Sequence, residues 1–122
     1  MDTLQELEVW YIIPNIRKEL ALALNNKGLN QVEIAKKLGI TKSAVNQYFH
    51  KKRAVNLNFS NEFKEEIKSS ASKINTHFDT HREIQYLLDI SRDEKLVCQV
   101  HKLLDKQFDN CNVCFDKVRF KK

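Results

Sequence analysis

The chain has 122 residues, 42% of them hydrophobic and 30% charged, with a formal net charge of +5. That is enough apolar material for one compact domain or a small domain with an extension. Two glycines, one proline and no Asn-Gly or Asp-Gly pair exclude a hairpin-rich sheet protein. No run approaches the roughly 18 apolar residues of a membrane span, and the opening MDTLQELE is acidic where a secretory signal is basic. The expectation is a cytoplasmic protein with no membrane partner, and the modest positive charge permits a polyanionic one.

Apolar residues recur at three- and four-residue spacing nearly throughout, which predicts an all-α fold. A short helix is expected over Thr3 to Ile13, carrying Leu4, Leu7, Trp10 and Tyr11, with Pro14 interrupting it and opening a second helix. That second helix places Ile16, Leu20, Ala23 and Leu24 on one face and ends near Gly28. A third runs from Gln31 to Leu38, with Ile34, Ala35 and Leu38 inward, and Gly39 stops it. A fourth runs from Thr41 to about His50, with Ala44, Val45 and Tyr48 or Phe49 inward.

A helix from about Ser60 to His77 follows, with a stripe of Phe59, Phe63, Ile67, Ala71, Ile74 and Phe78. Thr80 with Glu83, and Ser91 with Glu94, have the spacing of capping boxes and open helices over about Thr80–Ile90 and Asp93–Phe108. The expected division is an N-terminal helical unit over 1–55 and a C-terminal helical extension over 56–122.

The stretch from Gln31 to Ala54 concentrates the chemistry. Two short helices meeting at a glycine have the form of a helix-turn-helix. Ala35 is small where the second helix crosses the first, Gly39 supplies the turn, and Val45 packs into the angle. The second helix of such a unit enters the major groove, which makes Thr41, Lys42, Ser43, Asn46 and Gln47 the outward, base-facing positions. Asn and Gln can pair with adenine in two-pronged fashion, and Lys can reach guanine. His50, Lys51, Lys52 and Arg53 follow, where they suit phosphates. No acid occurs between Glu33 and Ala54, as a surface facing phosphates requires.

PNIRKELALAL followed by NQVEIAKKLGITKSAVNQYFHKKRA resembles the helix-turn-helix of the lambda-repressor/Cro-like (XRE-type) regulators over about residues 9–54. It is particularly similar to small archaeal predicted regulators with an LGIT…AV…Y…KR core. The resemblance implies that Gln31, opening the first motif helix, touches a phosphate. It also implies cysteines toward the C-terminus. Asn46 stands where a serine is common in that group, which leaves the bases read open.

All three cysteines lie near the C-terminus, with a histidine: Cys98 and His101 three apart on an expected helix, and Cys111 and Cys114 separated by two residues in DNCNVC. Cys-x2-His with Cys-x2-Cys is the ligand count of a closed zinc site. An iron–sulfur cluster is the alternative cofactor, and a thiol switch at Cys111 and Cys114 a further one. His77 and His81 straddle an expected helix boundary and are not read as a second site.

No catalytic triad, paired carboxylates or glycine-rich phosphate loop is present, so an enzyme is not expected. The expected function is a homodimeric, sequence-specific transcription regulator binding double-stranded DNA. The rival is an antitoxin-like or adaptor interaction module.

Overall fold

The structure is a computed structural model and describes residues 3–50 and 57–104. The fold is all-α, with no strand among the described residues: α1 (Leu4–Leu7), a π-helical segment (Glu8–Ile12), α2 (Ile13–Asn26), α3 (Gln31–Leu38), α4 (Lys42–His50), α5 (Asn61–Ser72), α6 (His77–Asp93) and α7 (Leu96–Leu104).

Pro14 falls in the first turn of α2, as expected, but it does not interrupt the helix that precedes it. The chain stays helical from Leu4 to Asn26 because the wider π turn lies immediately ahead of the proline. Proline has no N–H to give and its ring crowds the preceding turn, and a π segment relieves both. Asn15 supplies a donor in that turn, its side-chain amide bonding the Tyr11 carbonyl at 2.6 Å.

Two expected capping boxes are also corrected. α5 ends at Ser72 and α6 opens at His77: its cap is Thr76, four residues before the expected cap Thr80, and Asp79 accepts from the Asn75 and Thr76 amides at 3.0 and 3.1 Å. Thr80 and Ser91 are therefore interior to α6, and both are buried. The Ser91 hydroxyl donates to the Leu88 carbonyl at 2.6 Å. The chain turns between α6 and α7 at Lys95, whose φ is +55°. Phe59, Phe63, Ile67, Ala71 and Ile74 do form a buried stripe. Phe78 does not join it, because the early start of α6 turns the ring out to 74% exposure.

One hydrophobic cluster draws on both halves of the chain, from Leu7, Ile16 and Val45 to Phe63, Leu87 and Val100. Each such side chain contributes about 1.5–3 kcal/mol when fully buried. α2 is central, packing against α3, α4, α5 and α6. The start of α5 is held on the α6–α7 junction: Asn58 and Gln99 exchange two hydrogen bonds at 2.7 and 3.2 Å, and the Ser60 hydroxyl donates to Glu94 at 2.9 Å.

Candidate nucleic-acid interface

α3 begins where its first residues can be satisfied. The Asn30 side chain accepts from the Glu33 amide at 2.9 Å, and Glu33 accepts from the Asn30 amide at 3.2 Å. This reciprocal box fixes the helix start and ties down the one acid of the region. Asn30 and Glu33 have the three-residue spacing by which such a box is legible in sequence.

α3 ends at Gly39, whose φ of +68° and ψ of +33° lie in the left-handed region. The Ile40 amide then reaches the Ala35 carbonyl at 3.0 Å and the Gly39 amide the Lys36 carbonyl at 3.3 Å. That pair of bonds is a Schellman motif, and it satisfies two of the last carbonyls of α3. A Cβ added to Gly39 would also lie 3.1 Å from the Cβ of His77 on α6. Glycine is therefore required twice, by the backbone angle and by the close approach of a neighbouring helix.

α4 starts at once after the turn. The Thr41 side-chain oxygen accepts from the Ala44 amide at 3.0 Å, which makes Thr41 the cap of the helix. Its oxygen serves the helix start, and the hydroxyl proton is left to reach outward. Val45 and Tyr48 are buried, while Ala44 and Phe49 are half-buried. Of the two inward alternatives at the end of α4, Tyr48 is thus the deeper.

The opposite face carries the expected residues. Thr41, Lys42, Ser43, Asn46, Gln47 and His50 are all exposed. They offer hydroxyls, side-chain amides, an ammonium and an imidazole, with no carboxylate among them. Nine residues give α4 a length of about 13 Å, comparable with the roughly 12 Å width of the major groove. Gln31, half-buried at the start of α3, directs its Nε2 at the Asn46 Oδ1, 3.5 Å away, so α3 and α4 contribute to one polar surface. Lys51, Lys52 and Arg53 lie outside the described residues.

Lys37 is turned inward despite its place in a basic region. Its ammonium donates to the Ile74 carbonyl at 3.3 Å. The carbonyl of the same residue accepts from the buried Thr80 hydroxyl.

Residues 20–59 match the family model described as Helix-turn-helix. Over this segment the chain is similar to helix-turn-helix units. The match takes in the second half of α2, all of α3 and α4, and the lead into α5. Searches of curated proteins and of solved structures gave no significant match.

In the C-terminal region, Cys98 and His101 lie one turn apart on α7, Cys98 half-buried and His101 4% exposed. Cys111 and Cys114 lie outside the described residues. Among the described residues no group of three or more His, Cys, Asp or Glu could hold a metal ion. His77 and His81 both fall in the opening turns of α6, four residues apart. No helix among the described residues is long and apolar enough to cross a membrane.

Proposed function

We propose that this protein is a non-enzymatic, sequence-specific transcription regulator that reads double-stranded DNA with α4. The observation that carries this reading is the clean division of α4 into a buried face of Val45 and Tyr48 and an exposed face of polar and basic residues without an acid. In this reading, Lys42, Ser43, Asn46 and Gln47 face base edges from the N-terminal half of the helix. Gln31 and His50, with Lys51, Lys52 and Arg53 beyond, hold phosphates. Thr41 both caps the helix and offers its proton to the backbone.

The regulator acts as a cytoplasmic homodimer on two half-sites about one helical turn apart. Val9, Trp10, Phe78 and Leu103 are large apolar side chains at least half exposed, and so are available to a second copy. Packing of α5, α6 and α7 into the shared core disfavours an adaptor whose C-terminal half orders only on a partner.

Zinc is the cofactor proposed for Cys98, His101, Cys111 and Cys114, with an iron–sulfur cluster as the alternative. The donor set of three thiolates and one imidazole fits a closed tetrahedral site, and Cys98 and His101 share one helix face as a chelating pair must. When bound, the metal would supply a structural cross-link between α7 and the following segment. The likeness to archaeal regulators with C-terminal cysteines belongs to the same proposal.

The test is replacement of Asn46 or Gln47 by Ala in the full chain. Each is expected to abolish the preference for a duplex enriched from a randomised library while leaving non-specific binding nearly intact. Unchanged preference in both variants would remove these residues from the readout.

A further inference from the structure

The recognition helix is held from outside the helix-turn-helix. Three contacts join the end of α3 and its turn to the segment from Ile74 to Thr80. The Thr80 hydroxyl, buried with its residue at 2% exposure, caps the Lys37 carbonyl. The Lys37 ammonium returns across the same junction to the Ile74 carbonyl at 3.3 Å, where α5 has just ended. Between these two bonds the His77 Cβ lies against Gly39, where any side chain would meet it at 3.1 Å. The partners are 37 and 43 residues apart in sequence, so none of this is local helix chemistry.

We propose that Thr80 and Lys37 form a clasp that sets the pose of the recognition helix, making Thr80 and Lys37 positioning residues for DNA readout. The inference rests on the DNA-binding reading above. Carbonyls at a helix end need partners from elsewhere, and here the partner at Lys37 is a side chain of α6. With α3's last turn fixed on α6, the Gly39–Thr41 connection has one path. The N-terminal half of α4, which presents Lys42, Ser43 and Asn46, then has one orientation. Groups that read base edges must be held to a fraction of an ångström, and a helix that rocks about its leading turn loses discrimination before it loses phosphate attraction. Lys37 is removed from the phosphate-binding set by the same contact, because its ammonium is bonded to the Ile74 carbonyl.

The experiment uses full-length Thr80→Val, Thr80→Ser and Lys37→Met, each confirmed folded by thermal unfolding. Binding is measured to a duplex enriched from a randomised library and to a scrambled duplex, across a range of salt. Thr80→Val should narrow the affinity ratio between the two duplexes by about two- to tenfold, the equivalent of one lost hydrogen bond. Thr80→Ser, which keeps the hydroxyl, should restore the ratio. Lys37→Met should narrow the ratio with no change in the slope of log affinity against log salt. A ratio unmoved by Thr80→Val overturns the clasp. A slope reduced by about 0.9 in Lys37→Met also overturns it, by making Lys37 a phosphate ligand. Should the wild-type chain bind both duplexes alike, the DNA reading fails, and amide hydrogen exchange still decides the clasp. Faster exchange at Ile40, Ala44 and Val45 in Thr80→Val sustains it, and unchanged exchange removes it.

Discussion

Glu8 and Arg92, 84 residues apart, meet in a two-pronged ion pair: Arg92 Nε lies 2.8 Å from Glu8 Oε2, and Nη2 lies 2.9 Å from Oε1. Glu8 is 3% exposed, and this guanidinium compensates its buried charge. The pair fastens the π-helical segment to the C-terminal end of α6, while Thr80 and Lys37 fasten the other end of α6 to α3. The hydrogen bond from Arg92 to Glu8 is the main reason its pKa rises above the ordinary arginine value. A raised value means that Arg92 keeps its charge, and with it its side of the pair, throughout the neutral range.

Arg92→Met should therefore destabilise the fold at neutral pH by about 1–3 kcal/mol, toward the lower figure because the Arg92 side chain is 43% exposed. Replacing both partners, Glu8→Leu with Arg92→Met, should recover most of that loss, since no buried charge is then left alone. Urea unfolding measures both. A single variant as stable as the wild type would show that water takes over the role of Arg92.

Gly39→Ala should lower stability by about 1–3 kcal/mol. A side chain there must adopt a φ of +68° and meet the His77 Cβ at 3.1 Å. His77→Gly on the alanine background should recover only the steric part. Equal stability of Gly39→Ala and wild type in urea unfolding would contradict the geometry of the turn.

Acid should loosen the start of α6. The Asp79 carboxyl is held below its ordinary value of 3.8, chiefly by the Asn75 amide, then by Thr76 and by Arg82. A depressed value means that the cap stabilises fully above the unfolded-state value and is lost as pH falls through the lower, folded-state value. Amide exchange at Asn75 and Thr76, taken relative to the intrinsic rate at each pH, should rise on that acid limb in the wild type. In Asp79→Asn it should already be faster at neutral pH and show no such rise. An identical acid response in the two proteins would assign the limb to another carboxyl.

For the C-terminal cysteines, anaerobically purified protein should carry one zinc per chain, colourless in the visible range. Cys98→Ser or Cys111→Ser should release it. Iron with sulfide and visible absorption would replace zinc by a cluster, and no metal in any preparation would remove His101 and Cys98 as ligands.

The helix-turn-helix was the most legible part of the sequence. Gln31 to Leu38 shows helical spacing, Gly39 follows directly, and all expected outward positions of α4 within the described residues are exposed. What failed depended on tertiary surroundings. Pro14 reads as a break because the π segment that accommodates it leaves no mark in the hydrophobic pattern. Thr80 and Ser91 have the residue types of caps, yet Thr76 with Asp79 forms the actual box, and a shorter acid in the third position makes it less conspicuous. Once α6 starts at His77, Phe78 falls on the outer face although it continues the stripe of α5. The inward course of Lys37 was hidden for a similar reason: its partners lie at Ile74 and Thr80, and charge alone does not show that a lysine is committed.

The most direct test of the central claim is to select duplexes from a randomised library with the full-length protein, then measure affinity for the enriched and a scrambled sequence at several salt concentrations. The enriched duplex should bind at least about 10³-fold more tightly, affinity for both should fall steeply as salt rises, and Asn46→Ala should close most of the gap. Equal affinity for the two duplexes, or binding indifferent to salt, would contradict a regulator that reads DNA with α4.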